Sequence, residues 1–202
     1  MHLRESSMPP QNYWETLFDT DAILARFRLY GDVAELGCGY GTFTLALARE
    51  SKGTVHALDI DPALVEIVRQ RAAMAGLRNI DLQIRDVITD GFGLPDASCD
   101  SVMLFNILHG ESPLHMLDEA KRILKSNGTL AVIHWRSDIE TPRGPNLSIR
   151  PTPHQIMAWS TEVGGFALRE PSFLLPPWHF GLAFLKSGSS SAGNSQVANV
   201  PR

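Results

Sequence analysis

The sequence predicts an α/β fold built on a parallel, doubly wound sheet in a single domain. Short apolar runs of strand length alternate with segments of helical periodicity, and five such runs precede residue 134. The first opens into three glycines at alternate positions, Gly37, Gly39 and Gly41, and then into the alanine-rich segment 44–49. That succession is a buried strand, a tight turn and a helix start. The next three runs lead into polar groups, Asp59, Asp86 and Asn106, at the strand ends where parallel sheets bind ligands.

From Asn12 the apolar positions Tyr13, Trp14, Leu17, Phe18, Ile23, Leu24 and Phe27 predict one helix, or two short ones, against the sheet edge. The glycine turn follows the first strand. Glycine at every second position lets the backbone turn sharply and admits a ligand where a Cβ would collide. Free N–H groups at the helix start favour an anionic group such as a carboxylate or phosphate. The run 54–59 is a second buried strand ending in Asp59. Asp61-Pro62 then supplies the N-cap and first position of a helix over 63–75, which stops at Gly76. With that cap provided, Asp59 is available for a ligand. It lies 18 residues beyond Gly41, near the spacing of about 20 at which a carboxylate grips ribose hydroxyls.

A third strand, 80–84, ends in Arg85-Asp86-Val87, and a polar turn over 94–100 leads into a fourth, 101–105, followed by Asn106 and His109. Ser112-Pro113 caps a helix carrying Leu114, Leu117, Ala120, Ile123 and Leu124 on one face, with His115 exposed. Residues 125–128 close that helix, and 129–133 form the fifth strand, ending at His134-Trp135-Arg136. A proline-containing loop, 137–150, follows, and loops of this length without structure of their own are usually functional or mobile. Thr152-Pro153-His154-Gln155 reads as a capping box opening a helix that runs to Val163 and ends at Gly164-Gly165. The segments 166–175 and 180–186 are two final strands joined by Pro176-Pro177-Trp178-His179. Residues 1–11 are expected to be a flexible N-terminus, 12–186 the domain, and 187–202 a disordered tail rich in Ser, Gly, Asn and Ala.

Charged residues make up 20% of the chain and the net charge is −4, so no broad nucleic-acid footprint is expected. No run has the length and apolarity of a signal peptide or membrane span. Two cysteines, Cys38 and Cys99, make no disulfide framework, and the expected setting is cytoplasmic. No His, Cys and Asp cluster has metal-ligand spacing, so no metal is expected.

The string Glu35-x-Gly37-x-Gly39-x-Gly41 resembles the first motif of class I S-adenosylmethionine-dependent methyltransferases. Leu94-Pro95, four residues and Asp100 resemble the approach to the fourth strand in small-molecule members of that family. The dinucleotide fingerprint would instead place its third small residue at Thr42, which weakens the alternative of a nicotinamide-dependent oxidoreductase. The resemblance covers residues 12–186. It implies a seven-stranded, mostly parallel sheet of order 3-2-1-4-5-7-6 with the last strand antiparallel. It also implies S-adenosyl-L-methionine as cofactor and S-adenosyl-L-homocysteine as product.

By the same resemblance Glu35 lies near the methionine end, and Gly37, Cys38, Gly39, Tyr40 and Gly41 wrap the cofactor. Asp59 takes the ribose, Ile60 packs beside the adenine, Asp86 bonds its amino group and Val87 covers the ring. Asn106 bonds cofactor or acceptor; the sequence Phe-Asn-Ile-Leu-His lacks the Pro-Pro-aromatic motif of enzymes that methylate adenine or glutamine. Tyr13 and Trp14 are candidates for a lid, and His134, Trp135, Arg136, Trp178 and His179 for the acceptor side. An acceptor that must lose a proton needs a base, and His109 is the leading candidate, ahead of His134 and His179. Arg136, Arg143 and Arg150 along the loop suggest an anionic small molecule. A noncatalytic cofactor-binding sensor or partner subunit is a second alternative, and oligomeric state is left open.

Overall fold

In the computed structural model, which describes residues 8–188, strands and helices alternate from Val33 onward. The strands are β1 (Val33–Leu36), β2 (Val55–Asp59), β3 (Ile80–Ile84), β4 (Cys99–Phe105), β5 (Leu124–Trp135), β6 (Phe166–Leu168), β7 (Phe173–Leu175) and β8 (His179–Lys186). The helices are α1 (Gln11–Glu15), α2 (Thr20–Phe27), α3 (Thr42–Glu50), α4 (Pro62–Met74), α5 (Pro113–Ile123) and α6 (Pro153–Val163). One sheet runs β3-β2-β1-β4-β5-β8-β6, with β7 also paired to β8. The first five strands are parallel, and β8 runs antiparallel to β5, β6 and β7. This is the expected doubly wound architecture with one strand more than expected.

The extra strand comes from the segment 166–175, which the sequence presents as continuous. Here it divides: β6 pairs with residues 184–186 of β8, and β7 with residues 179–181. Pro171 between them has no N–H for the ladder. Glu170 and Arg169 are drawn instead to the end of α2, where Glu170 pairs with Arg26 and Arg169 Nη1 donates to Phe27 O at 3.0 Å. A second difference lies in β5, which begins at Leu124 instead of at 129. Leu124 pairs with Cys99 and Thr129 with Ser101, so the expected turn 125–128 is looped out of a longer strand, with Asn127 at φ +63°.

Two apolar layers hold the helices on the sheet. Ile23 and Phe27 of α2 and Phe43 and Leu47 of α3 pack on one face against Val33, Val55, Met103 and Ile133. Met116, Leu117 and Ile123 of α5 and Ile156 of α6 pack on the other against Leu36, Leu58, Val102 and Leu104. The caps follow the sequence. Asp61 accepts from Ala63 N at 2.8 Å with Pro62 at the first position of α4, and both halves of the Thr152/Gln155 box are formed. Ser112 is the exception: it occupies the N-cap of α5 without a side-chain bond, and Pro113 alone sets the start.

Register aligns the site. Leu36 of β1 is level with Leu58 of β2 and Leu104 of β4, and Phe105 with Ile133 of β5. The chain therefore delivers Gly37, Asp59, Asn106 and His134 to one edge, and antiparallel β8 returns His179 there opposite Trp135. Among the described residues no helix is long and apolar enough to cross a membrane. Cys38 and Cys99 are unpaired thiols. Of the outer segments assigned from sequence, residues 1–7 and 189–202 lie outside the described residues.

Candidate active site

A cleft of about 400 Å³ opens at the carboxyl ends of β1, β2, β4 and β5, within the range of small-molecule sites. Its floor is the glycine turn. Gly37 N and Cys38 N both donate to Leu58 O, at 2.8 and 3.1 Å, which ties the turn to β2. Gly41 has φ +75°, and a Cβ there would lie 2.9 Å from Val68 Cγ2 of α4. Glycine is required at that point both by conformation and by space. Burial pushes the Cys38 thiol far up, so it is an inert filler of the turn.

Asp59 is buried at the end of β2. Its Oδ2 accepts from Gly39 N at 2.8 Å and its Oδ1 from Asp61 N at 3.0 Å. Desolvation raises its pKa against the pull of those N–H groups. Each oxygen retains a second lone pair for a ligand hydroxyl. Glu35, 3% exposed, accepts from the Thr44 hydroxyl. Burial, with a smaller push from Asp59, raises its pKa to about 8 although the Thr44 bond opposes the shift, so it holds a proton at neutral pH. Asp86 turns its carboxylate into its own loop, where Oδ1 accepts from Ile88 N at 3.1 Å and Oδ2 from Thr89 Oγ1 at 3.0 Å. Arg85, beside it, donates to Gly91 O and Asp90 O at 2.7 Å each.

Among the described residues, two buried oxygens in the cleft lining have no partner, Thr42 Oγ1 and Asn106 Oδ1. Asn106 takes φ +59° while its N–H donates to Ile133 O at 2.8 Å. Buried oxygens without a partner are costly, and a bound ligand's donors would satisfy them.

The acceptor side is aromatic and cationic. Trp135, 2% exposed, lies against the cleft with Trp14 at 6.4 Å between ring centroids. Gly144 packs flat on Trp135, bringing Arg143 and Pro145 into the lining. Arg150 holds that loop: its Nε donates to Pro145 O at 2.9 Å and its Nη1 to Arg136 O at 2.8 Å. His109 Nδ1 lies 3.2 Å from His134 Nε2, and His134 Nδ1 lies 3.3 Å from Trp135 O. Burial, and then the Arg150 charge, lower the pKa of His109, while His134 and His179 fall to about 3.

The residues singled out in the sequence thus divide. Glu35, Gly37, Cys38, Gly39, Asp59, Ile60, Asp86, Val87 and Asn106 line the cleft, as do Trp14, His109 and Trp135. The others do not. The Tyr40 hydroxyl donates to Pro9 O at 3.1 Å, and Gly41 faces Val68. Tyr13 points outward beneath Arg143, 5.8 Å from guanidinium carbon to ring centroid. His134 is fully buried behind His109. His179 lies between Trp135 and Phe18, at 4.2 and 4.6 Å between centroids, its Nε2 unpartnered. Arg136 is taken by Asp138, and Trp178 lies outside the cleft, its carbonyl accepting from Arg136 N at 2.9 Å. Thr42, Met8 and Pro9 enter the lining unforeseen. Only Thr42 had a signal, a hydroxyl at the first helical position after the glycine turn.

The comparisons agree with this geometry. Residues 33–128 match the model of the methyltransferase domain family. The fold matches the structure of an S-adenosylmethionine-dependent methyltransferase from Aquifex aeolicus with a TM-score of 0.76, covering 87% of this chain and 93% of that one at 24% identity. It also matches a type 11 methyltransferase from Sulfolobus solfataricus with a TM-score of 0.70, covering 88% and 98% at 26% identity. Residues 33–128 are thus a methyltransferase domain, set in a fold shared with S-adenosylmethionine-dependent methyltransferases of class I. Among curated methyltransferases, aklanonic acid methyltransferase DauC of Streptomyces sp. (strain C5) is 42% identical over 73 residues, 35% of this chain and 32% of that protein. The chain spans between 32% and 52% of the first curated relatives it matches.

The residues present fit the methyltransferase cofactor. The cleft has paired lone pairs on Asp59 for a cis-diol, apolar Ile60 and Val87 for a flat base, and unpartnered Thr42 and Asn106 oxygens.

Proposed function

We propose that this chain transfers a methyl group from S-adenosylmethionine to a small anionic acceptor in the cytoplasm. The observation that carries the proposal is the meeting of the glycine turn, Asp59 and the unpartnered Asn106 oxygen in one cleft beside His109. When bound, the cofactor supplies an electrophilic methyl on a sulfonium, so the chain's own task is alignment and a dry site. Asp59 holds the ribose, Ile60 and Val87 enclose the adenine, Asp86 bonds its amino group, and Asn106 accepts from the amino-acid end. Glu35, protonated in the free protein, gives up its proton when a cation arrives nearby. His109, lowered in pKa and therefore neutral at pH 7, removes the acceptor proton as the new bond to the methyl forms.

The anionic character of the acceptor is supported by Arg143, the one of the three loop arginines that lines the cleft. The acceptor in the name of the Streptomyces relative is an acid as well. Calorimetric titration with S-adenosylmethionine, S-adenosylhomocysteine, NADH and NADPH tests the cofactor. Micromolar affinity for the first pair, weakened at least tenfold in Asp59→Ala, is expected; preference for a nicotinamide cofactor would sink the reading. A panel of carboxylic acids with methyl-labelled cofactor then tests turnover. Binding without transfer to any acceptor would assign a noncatalytic cofactor-binding role.

A further inference from the structure

The partners of His109 and His134 fix where each ring proton sits. A carbonyl oxygen only accepts, so the nitrogen 3.3 Å from Trp135 O, His134 Nδ1, must bear a hydrogen. His134 is fully buried and, with its pKa near 3, neutral, so it carries one ring proton and its Nε2 is a bare lone pair. That lone pair lies 3.2 Å from His109 Nδ1, which must therefore donate. His109 is also neutral at pH 7, so its own lone pair is left on Nε2. Among the described residues His109 Nε2 makes no hydrogen bond, and His109 lines the cleft. Free neutral imidazole favours the opposite tautomer, with the hydrogen on Nε2.

We propose that His134 is a positioning residue: by accepting the Nδ1 hydrogen of His109 it holds the His109 lone pair on Nε2, open to the acceptor. Its bearing on catalysis rests on the methyl-transfer function proposed above; the tautomer itself does not. In the reaction the acceptor's electron pair forms the bond to the methyl carbon, and the carbon–sulfur bond breaks with its pair staying on sulfur. The acceptor proton goes to His109 Nε2. The resulting imidazolium keeps its Nδ1–H bond to His134, which needs no proton change of its own. Arg150 is the charge facing both rings from the loop, His179 stands by on β8 as a neutral ring, and Arg143 lies across the cleft. His109 therefore returns its proton to water readily, since burial and the Arg150 charge disfavour its cation.

The test is long-range proton–nitrogen correlation spectroscopy of the full chain labelled with nitrogen-15 histidine at pH 7.5. Signals are assigned through His109→Gln and His134→Phe. In the wild type, His109 and His134 are both expected as Nδ1–H tautomers. In His134→Phe, which removes the acceptor but keeps a ring, His109 is expected to revert to Nε2–H. His134→Gln, whose amide oxygen can accept, is expected to restore the Nδ1–H form. A wild-type His109 with its hydrogen on Nε2 overturns the proposal, and that spectrum needs no variant to fold. An unchanged His109 tautomer in a folded His134→Phe overturns it too. Failure of the methyltransferase reading would appear elsewhere, as absent S-adenosylhomocysteine binding with these tautomers intact.

Discussion

At the ends of β1 and β2 the cleft is shaped by backbone, whereas at the ends of β4 and β5 it is shaped by side chains. On the first side the decisive bonds are Gly37 N and Cys38 N to Leu58 O and Gly39 N to Asp59. On the second they are ring to ring and guanidinium to carbonyl, from His109 to His134 and from Arg150 to Pro145 and Arg136. A backbone-built wall depends on a few glycines and acids at fixed spacing and tolerates little change. A side-chain-built wall can be rebuilt without disturbing the sheet beneath it. The same fold can thus keep one cofactor and exchange acceptors.

Glu35 is where the backbone-built side stores a titratable cost, and the largest effect is expected there. Its pKa is 4.5 in the open chain and about 8 when folded. Folded protein therefore binds more protons between those values, and stability falls as pH rises through that window. At about 1.36 kcal/mol per unit the full loss is on the order of 5 kcal/mol, most of it already incurred at pH 7. Glu35→Gln keeps the shape and has no proton to lose. Urea unfolding at pH 4, 7 and 9 should show the variant level with wild type at pH 4 and progressively more stable above. Parallel curves at all three values would mean that water or a cation already solvates Glu35.

Next in size is a matched pair of glycines. Gly41 and Gly76 have nearly equal φ, +75° and +68°, but a Cβ would strike Val68 at the first and meet nothing within 4 Å at the second. Gly76→Ala is expected to cost about 1 kcal/mol for the left-handed backbone alone. Gly41→Ala should cost about 3 kcal/mol, since packing strain is added. Equal losses in urea unfolding would show that α4 yields easily and that the turn is less tightly determined than its contacts imply.

This contrast also explains what the sequence discloses. The glycine turn, Asp59, the Asp61-Pro62 cap and the strand order are legible because each depends on local spacing or on the right-handed crossover. The His109–His134 contact joins residues 25 apart and exists only because Phe105 and Ile133 are level across two strands. No periodicity records such a register. Likewise Arg136, Arg143 and Arg150 look alike in the sequence, yet one pairs with Asp138, one lines the cleft and one clamps the loop. Pro171 was visible as a residue, but its effect depends on which edge of the sheet it reaches.

A smaller effect tests the side-chain-built wall for stability alone. His179 is buried between Trp135 and Phe18 with Nε2 unpaired and a folded pKa near 3. Its unfolded pKa is about 6.5, so the unfolded chain takes up a proton that the fold refuses, and stability declines as pH falls from 6.5 toward 3. His179→Phe preserves the ring stack and removes both the unpaired nitrogen and the proton. It is expected to gain about 1 kcal/mol at pH 7.5 and more at pH 5, read from unfolding midpoints. A loss at both values would mean that the pocket cannot admit the extra ring atom.

The smallest effect is expected at Arg136, and its smallness is informative. Its guanidinium makes two bonds to Asp138, at 3.0 and 2.7 Å, with the pair facing solvent. Its backbone does the structural work: the N–H donates to Trp178 O, and the carbonyl receives Arg150. Arg136→Ala keeps both backbone bonds and loses only a screened surface pair. The unfolding midpoint, the S-adenosylhomocysteine affinity and the acceptor KM should all match wild type, while Arg143→Ala raises the KM of an acidic acceptor several-fold. If the two substitutions raise that KM alike, Arg136 leaves Asp138 when the acceptor binds, and the side-chain-built wall extends to the start of the loop.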